Sequence, residues 1–220
     1  MGLLLFCLSA KKDFFRWPME HSTEILYNKT EVYCSRVHRF GSDALLLARF
    51  CPPKRTQKAA DLCSGCGIVS LEWHDSGHRG PCTALELQPE ASALLAQAVA
   101  EQGLGHIVPL CADLRTCREG EGTYDLCACN PPYFTDGIQS ADAARATARH
   151  ETDCTLDDVC ACGFRLLKDG GRLALCHRPE RLAEVLAVLR AHRLEPKRLA
   201  FVKNRPDSAP WLFLVEAQKN

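Results

Sequence analysis

A chain of 220 residues, 46% hydrophobic and 25% charged, has the size and composition of one soluble domain with a full core. Its net charge of zero and pI of about 7.0 exclude a broad cationic surface for nucleic acid and leave room for a local basic patch. Fourteen cysteines raise zinc or a redox disulfide as possibilities that the spacings must decide.

The first eight residues, Met1-Gly2-Leu3-Leu4-Leu5-Phe6-Cys7-Leu8, resemble a short signal core. No Lys or Arg precedes them, however, and Lys11, Lys12 and Asp13 follow at once. Phe6 stands where a myristoylation signal needs Ser or Thr. No stretch approaches the ~18 apolar residues of a membrane span, so the chain reads as cytoplasmic, with no membrane contact. Ile25 to Tyr33 is apolar and β-branched on both sides of Asn28-Lys29, which predicts a hairpin. After Arg39-Phe40-Gly41, Ser42 or Asp43 can cap a short helix that Pro52-Pro53 ends. Residues 1–35 thus form an N-terminal extension, and 36–220 the main domain.

From residue 58 strands and helices alternate. Ala59 to Cys63 is a strand, followed by Ser64-Gly65-Cys66-Gly67 and a helix through Trp73. Cys82 to Leu87 is the next strand, and Pro89 starts a helix reaching Gln102, with Gly103 to close it. Ile107 to Ala112 and Tyr124 to Cys129 are further strands, and residues 135 to 153 read as a mobile loop. A helix from Leu156 to Leu167 closes at Gly170-Gly171 before a strand over Arg172 to Cys176. An amphipathic helix over Pro179 to His192 precedes two last strands, Leu199 to Val202 and Trp211 to Val215. The pattern is α/β: a doubly wound, mostly parallel, seven-stranded sheet with right-handed crossovers.

The cysteines fall into Cys63-x-x-Cys66 and the pairs Cys127-x-Cys129 and Cys160-x-Cys162, without a second CxxC or a His-x3-His. Cys127 and Cys129 share one face of a strand, where they act as small apolar filler. No metal is expected, and many unpaired thiols suit a reducing compartment.

Ligands of such sheets bind beyond the carboxyl ends of the strands, and several ends here carry chemistry. Gly65 and Gly67 let the backbone after Asp61 turn sharply and approach a ligand. The loop lacks the third glycine of a dinucleotide site and the Gly-Lys-Ser/Thr of a P-loop. Glu86 lies about 20 residues on, placed to accept ribose hydroxyls, and Asp113 follows the next strand. Each acid taken singly serves as well to cap a helix. Asn130-Pro131-Pro132-Tyr133-Phe134 ends the fourth strand: prolines stop it, and an amide edge lies beside aromatic faces. That arrangement suits a planar group bearing an NH2, such as an unstacked base, or a proline-terminated strand with aromatics on the core.

Taken together, Asp61-x-x-x-Gly65-x-Gly67, Glu86, Asp113 and Asn130-Pro131-Pro132-Tyr133 resemble the motif set of class I S-adenosylmethionine-dependent methyltransferases, in the branch that methylates amino nitrogens. With Phe40-Gly41-Ser42-Asp43 upstream, residues 36 to 220 most resemble the bacterial adenine-N6 methyltransferases of a valine tRNA. The resemblance implies a Rossmann-like methyltransferase fold and S-adenosylmethionine as cofactor. Asp61, Cys63, Gly65 and Gly67 would shape the loop around its methionine moiety, with Glu86 on the ribose, Asp113 on the adenine, and Gly41 and Asp43 approaching from the upstream helix. Asn130 would border the cofactor and, with the Pro131 carbonyl, accept from the target amine. Pro132 and Tyr133 complete the catalytic motif, and Tyr133 stacks on the base beside Phe134. The RNA partner, a tRNA, would meet Arg145 and Arg149 in the loop and the cluster Lys197-Arg198, Lys203 and Arg205, which otherwise are solvated surface charge. A monomer is expected. Competing readings are a protein glutamine-N5 methyltransferase, a DNA adenine methyltransferase and a non-catalytic RNA-binding adaptor. The first usually carries a longer N-terminal helical domain, the second needs a target-recognition segment, and the third has no use for an intact Asn-Pro-Pro-Tyr.

Overall fold

Leu126-Cys127-Ala128-Cys129 offers no polar position, and a strand of that kind needs cover on both faces. In the computed structural model, which describes residues 19–131 and 154–220, it lies inside a seven-stranded sheet. The elements are β1 (Ser22–Ile25), β2 (Glu31–Cys34), α1 (Ser42–Phe50), β3 (Ala59–Leu62), α2 (Ile68–Asp75), β4 (Cys82–Glu86), α3 (Pro89–Glu101) and β5 (Ile107–Cys111). There follow β6 (Tyr124–Cys129), α4 (Leu156–Leu166), β7 (Leu167–His177), α5 (Leu182–Ala191), β8 (Leu194–Val202) and β9 (Leu212–Lys219). The sheet order is β5-β4-β3-β6-β7-β9-β8, with β9 antiparallel to both neighbours and the other pairings parallel. The chain winds outward from β3 through β4 to β5, then returns to β6 on the other side. That reversal opens a crevice at the carboxyl ends of β3 and β6.

Alternate residues of each strand serve opposite layers. Leu126 and Ala128 pack in the cluster that includes residues of α1, α2, α3 and the hairpin, whereas Cys127 and Cys129 face residues of α4 and α5. All four are 0% exposed, so the two thiols are apolar filler. Thr155 fixes the start of α4 with a capping box: its hydroxyl accepts from Asp158 N at 3.2 Å, and Asp158 Oδ2 accepts from Thr155 N at 2.9 Å. Such a box contributes about 1 kcal/mol.

The β1–β2 hairpin stands apart from the sheet and docks on α2 and α3 through Val32, Tyr33 and Cys34. Its turn is anchored by Asp75 at the end of α2, whose carboxylate accepts from Asn28 N at 2.8 Å and Thr30 N at 3.0 Å. Burial raises the Asp75 carboxyl, but those donors outweigh it and hold the group below its ordinary value. A folded-state pKa that is depressed gives stability fully present above the unfolded value near 3.9 and lost as pH falls through the folded one. Asp75→Ala therefore destabilises the fold by about 2 kcal/mol at neutral pH, read by denaturant titration, and the difference from wild type narrows below about pH 4.

Several boundaries differ from the sequence reading. Gly41, not Ser42 or Asp43, is the N-cap of α1, and no side chain caps that helix; Asp43 Oδ1 instead accepts from Ala44 N at 2.9 Å. Gly170-Gly171 does not separate helix from strand: α4 ends at Leu166 and β7 begins at Leu167. Tyr124 pairs with Leu167 and Leu126 with Arg172, so residues 168–171 bulge out, held by Gly170 at φ +73° and a Lys168–Asp125 ion pair of 2.5 Å. The segment Pro179–Arg181 is a 3-10 turn before α5. The last two strands are longer than expected. Pro196 hid the first half of β8, yet β8 is an edge strand, where a missing donor is tolerated. Glu216 extends β9 because Arg172 and Arg198 neutralise it, at 2.8 and 3.3 Å.

Candidate active site

The face alternation fixes where the polar strand ends point. Ala59, Ala84 and Ala128 belong to the α1–α3 side of the sheet, and Ala60, Leu85 and Cys129 to the other. Period-two geometry then projects Asp61, Glu86 and Asn130 to the same side. They line one cavity of about 400 Å³ at the crevice, within the range of small-molecule sites. Cys63 and Gly65 line it from the loop after β3, Gly41 and Asp43 from the start of α1, and Asp113 and Pro131 from beyond β5 and β6.

The loop after β3 turns through left-handed backbone at Cys63 (φ +56°), Gly65 (φ +55°) and Gly67 (φ +84°). Gly67 is not among the residues that line the cavity; it is the N-cap of α2. A Cβ there would run into the buried Leu95 side chain. Gly67→Ala combines a strained φ with overpacking, and we expect a loss of about 3 kcal/mol in thermal or denaturant unfolding. Gly67 therefore shapes the loop by backbone conformation and close packing, not by lining the cavity.

Glu86 is tied to that loop. Its Oε2 accepts from Gly65 N and its Oε1 from Gln88 N, both at 2.8 Å, which leaves lone pairs on each oxygen for a ligand. Asp61 lies beneath the loop at 1% exposure, its Oδ2 accepting from Ser70 N at 3.0 Å. Burial drives its carboxyl up to about 7; hydrogen bonds from Ser70 oppose the rise and the Glu86 charge adds to it. Ser64 was missed by the sequence reading. It lines the cavity at 6% exposure, and its hydroxyl has no hydrogen-bond partner among the described residues. A buried hydroxyl without a partner beside a cavity is a place for a polar ligand group. A serine inside a glycine loop carries no sequence signal of that kind.

Asp113 is less open than its position suggested. Arg115 Nε donates to both carboxylate oxygens at 3.0 Å and Nη2 to Oδ2 at 2.6 Å, and this guanidinium holds the carboxyl below its usual range. Asn130 sits at the end of β6, and its Oδ1 accepts from the Cys176 thiol at 3.0 Å. Cys63 lies among thiols: hydrogen bonding with Cys129 raises its pKa most, with contact to Cys154 opposing and burial adding. Of the basic cluster, Arg198 is structural; it stacks 4.0 Å over Phe50 and donates to Phe50 O and Glu216. Lys197 and Arg205 are exposed, as is Lys203, whose Nζ donates to Pro206 O at 3.3 Å. Pro132, Tyr133, Phe134, Arg145 and Arg149 lie outside the described residues. No group of three or more His, Cys, Asp or Glu side chains among the described residues could hold a metal, and no helix there is long and apolar enough to cross a membrane.

The family model described as the methyltransferase small domain matches residues 24–180, which take in most of the hairpin, the glycine loop, β6 and β7. The chain belongs to that family. This methyltransferase is 27% identical over 180 residues to the tRNA1(Val) (adenine(37)-N6)-methyltransferase of Parabacteroides distasonis, covering 81% of the chain and 76% of the relative. It is 31% identical over 140 residues to the protein of the same name from Dickeya chrysanthemi, covering 62% and 55%. Its fold matches precorrin-6y C5,15-methyltransferase from Geobacter metallireducens at a TM-score of 0.61 and 14% identity, over 86% and 94% of the two chains. It also matches geranyl diphosphate C-methyltransferase from Streptomyces coelicolor at 0.60 and 13%, over 81% and 80%. The cavity of this methyltransferase thus lies at the switch point of a methyltransferase sheet.

Proposed function

We propose that this methyltransferase moves a methyl group from S-adenosylmethionine to the exocyclic N6 of an adenine in tRNA. The observation that carries the reading is the convergence of Glu86, the unpartnered Ser64 hydroxyl and Asn130 on one cavity. The donor set fits the cofactor: lone pairs of Glu86 for ribose hydroxyls, the Ser64 hydroxyl for a carboxylate, and the Asp61 carboxylate near an ammonium. The bound cofactor supplies a methyl group already activated on a sulfonium sulfur.

What the chain adds is placement. Asn130 Oδ1 and the Pro131 carbonyl accept the hydrogens of the target amine and keep its lone pair off the ring. As the nitrogen gains positive charge, these acceptors stabilise it, and orientation supplies most of the acceleration. Asn130 takes no proton, since an amide is not a base; the proton leaves the substituted amine for water. The names of the relatives make a valine tRNA and its position 37 the first substrate to test. The cytoplasm is the compartment this reading implies, and the free cysteines fit a reducing one.

The test is incubation with methyl-labelled S-adenosylmethionine and, in parallel, total tRNA, DNA or release-factor protein. Label released as N6-methyladenosine from tRNA is the expected outcome. Label on protein glutamine alone would overturn the RNA assignment, and label in none of the three would revive the adaptor reading.

A further inference from the structure

We propose that Arg39 holds the RNA phosphates beside the target adenine, on a lip that residues 35–40 form at the mouth of the cavity; the inference rests on RNA being the methyl acceptor. Of the described residues that line the cavity, Asp43, Asp61, Glu86 and Asp113 are acids, and Arg39 is the one Lys or Arg. Arg115, outside the lining, pairs with Asp113. An acidic cleft suits a cationic cofactor, but it repels the phosphate chain that must bring an adenine to its mouth. A cation at the rim offsets that repulsion where the chain passes.

The fold presents Arg39 at that rim. Between β2 and α1 the chain turns, with Ser35 N donating to His38 O at 3.0 Å and Ser35 Oγ accepting from Val37 N at 3.2 Å and His38 N at 3.0 Å. Exposure then alternates along the segment. The His38 side chain is 11% exposed, its Nε2 3.5 Å from Glu90 in α3, and Phe40 packs against the core. Val37 is 79% exposed and the Arg39 side chain 66%, yet both line the cavity, so they stand at its edge. Arg36, also exposed, lies in the turn beside them. Arg39 Nη2 reaches Glu24 Oε1 of β1 only at 4.0 Å, and both side chains are more than half exposed. Such a pair is held weakly, so a phosphate can take the place of the carboxylate. A guanidinium offers a phosphate two parallel donors, and Val37 offers the adjoining ribose or base an apolar surface. Contacts of this kind fix where the RNA lies without reading its sequence. The rim then holds the chain while Asn130 and Pro131, across the cavity, receive the amine.

An unmodified valine tRNA transcript, titrated into the full chain over a range of salt concentrations with S-adenosylhomocysteine present, tests the assignment. Arg39→Ala weakens tRNA binding about tenfold at low salt. It also makes the plot of log Kd against log salt shallower by about 0.7, the loss of one phosphate contact to a single strand. Affinity for S-adenosylhomocysteine, and kcat at saturating tRNA, stay within about threefold of wild type. Arg39→Lys keeps the charge but not the fork; it keeps the wild-type slope and binds tRNA within about threefold of wild type. An unchanged slope in Arg39→Ala overturns the proposal. So does a loss of S-adenosylhomocysteine affinity with tRNA binding intact, which would assign the guanidinium to the cofactor carboxylate. If wild type methylates RNA and the slope does not move, this inference alone fails. If wild type neither binds nor methylates RNA, the proposed function fails and takes this inference with it.

Discussion

Replacing Asn130 by alanine leaves S-adenosylmethionine bound and lowers methyl transfer by at least about a hundredfold, the usual scale for losing one preorganised polar group at a reacting centre. The division of the site by strand is the reason. The loop after β3 carries Ser64 and Gly65, and Glu86 ends β4, where it holds the loop by Gly65 N. Asn130 follows β6, on the other side of the crevice, and its Oδ1 accepts from Cys176 of β7. Removing the amide therefore leaves the hydrogen bonds that shape the loop intact. On the proposed reading, it takes away the acceptor that orients the amine and stabilises charge on nitrogen as the bond forms. Single-turnover kinetics measures the loss of transfer, and calorimetry with S-adenosylhomocysteine the retained cofactor binding. Cofactor affinity within about threefold of wild type is expected. Loss of cofactor binding along with activity would show that the amide belongs to the cofactor half of the site.

The central strands were readable because their punctuation is local. An apolar run, a turn of small residues and a proline-started helix each announce themselves within a few positions, and β3, β4, α3 and β6 fall close to where those signals put them. The convergence of Asp61, Glu86 and Asn130 follows from the same pattern, since period-two alternation in three neighbouring strands leaves them on one side. What escaped is tertiary. Gly170-Gly171 looks like a helix stop, and only the pairing of Tyr124 with Leu167 shows that β7 has already begun. Arg198 reads in the sequence as one of a basic cluster, and only the fold shows that Phe50 and Glu216 hold its guanidinium. Gly67 reads in the sequence as a loop-shaping glycine, and only the fold adds that Leu95, distant in the chain, leaves no room for a side chain there. Ser64 was invisible for the opposite reason: a small side chain acquires a role only from what the fold puts next to it.

Asp61→Asn makes the protein more stable at pH 8 and less able to bind its cofactor. The carboxyl is buried and its pKa is raised to about 7, from about 3.9 in the unfolded chain. Below the unfolded value both states are protonated, and the group contributes nothing. Between the two values the folded state keeps a proton that the unfolded state releases, so stability falls as pH rises. Above the folded value the penalty is complete, roughly 4 kcal/mol at 1.36 kcal/mol per pKa unit. Asparagine escapes it and can still accept from Ser70 N, though its NH2 then needs a partner in a buried place. A net gain of about 2 kcal/mol at pH 8 remains, a rise of some 4–8 °C in Tm for a chain of this size, with little or no gain at pH 5. On the proposed reading, a ligand ammonium offsets that penalty in the wild type. Such a ligand favours the ionised carboxyl, so wild-type affinity for S-adenosylhomocysteine should rise between pH 6 and pH 8 with release of a proton. Calorimetry in two buffers of different ionisation enthalpy detects that proton, and Asp61→Asn should release none. If the variant binds as tightly as wild type at pH 8, Asp61 acts only as an anchor for Ser70, and the ammonium must find its partner elsewhere in the cavity.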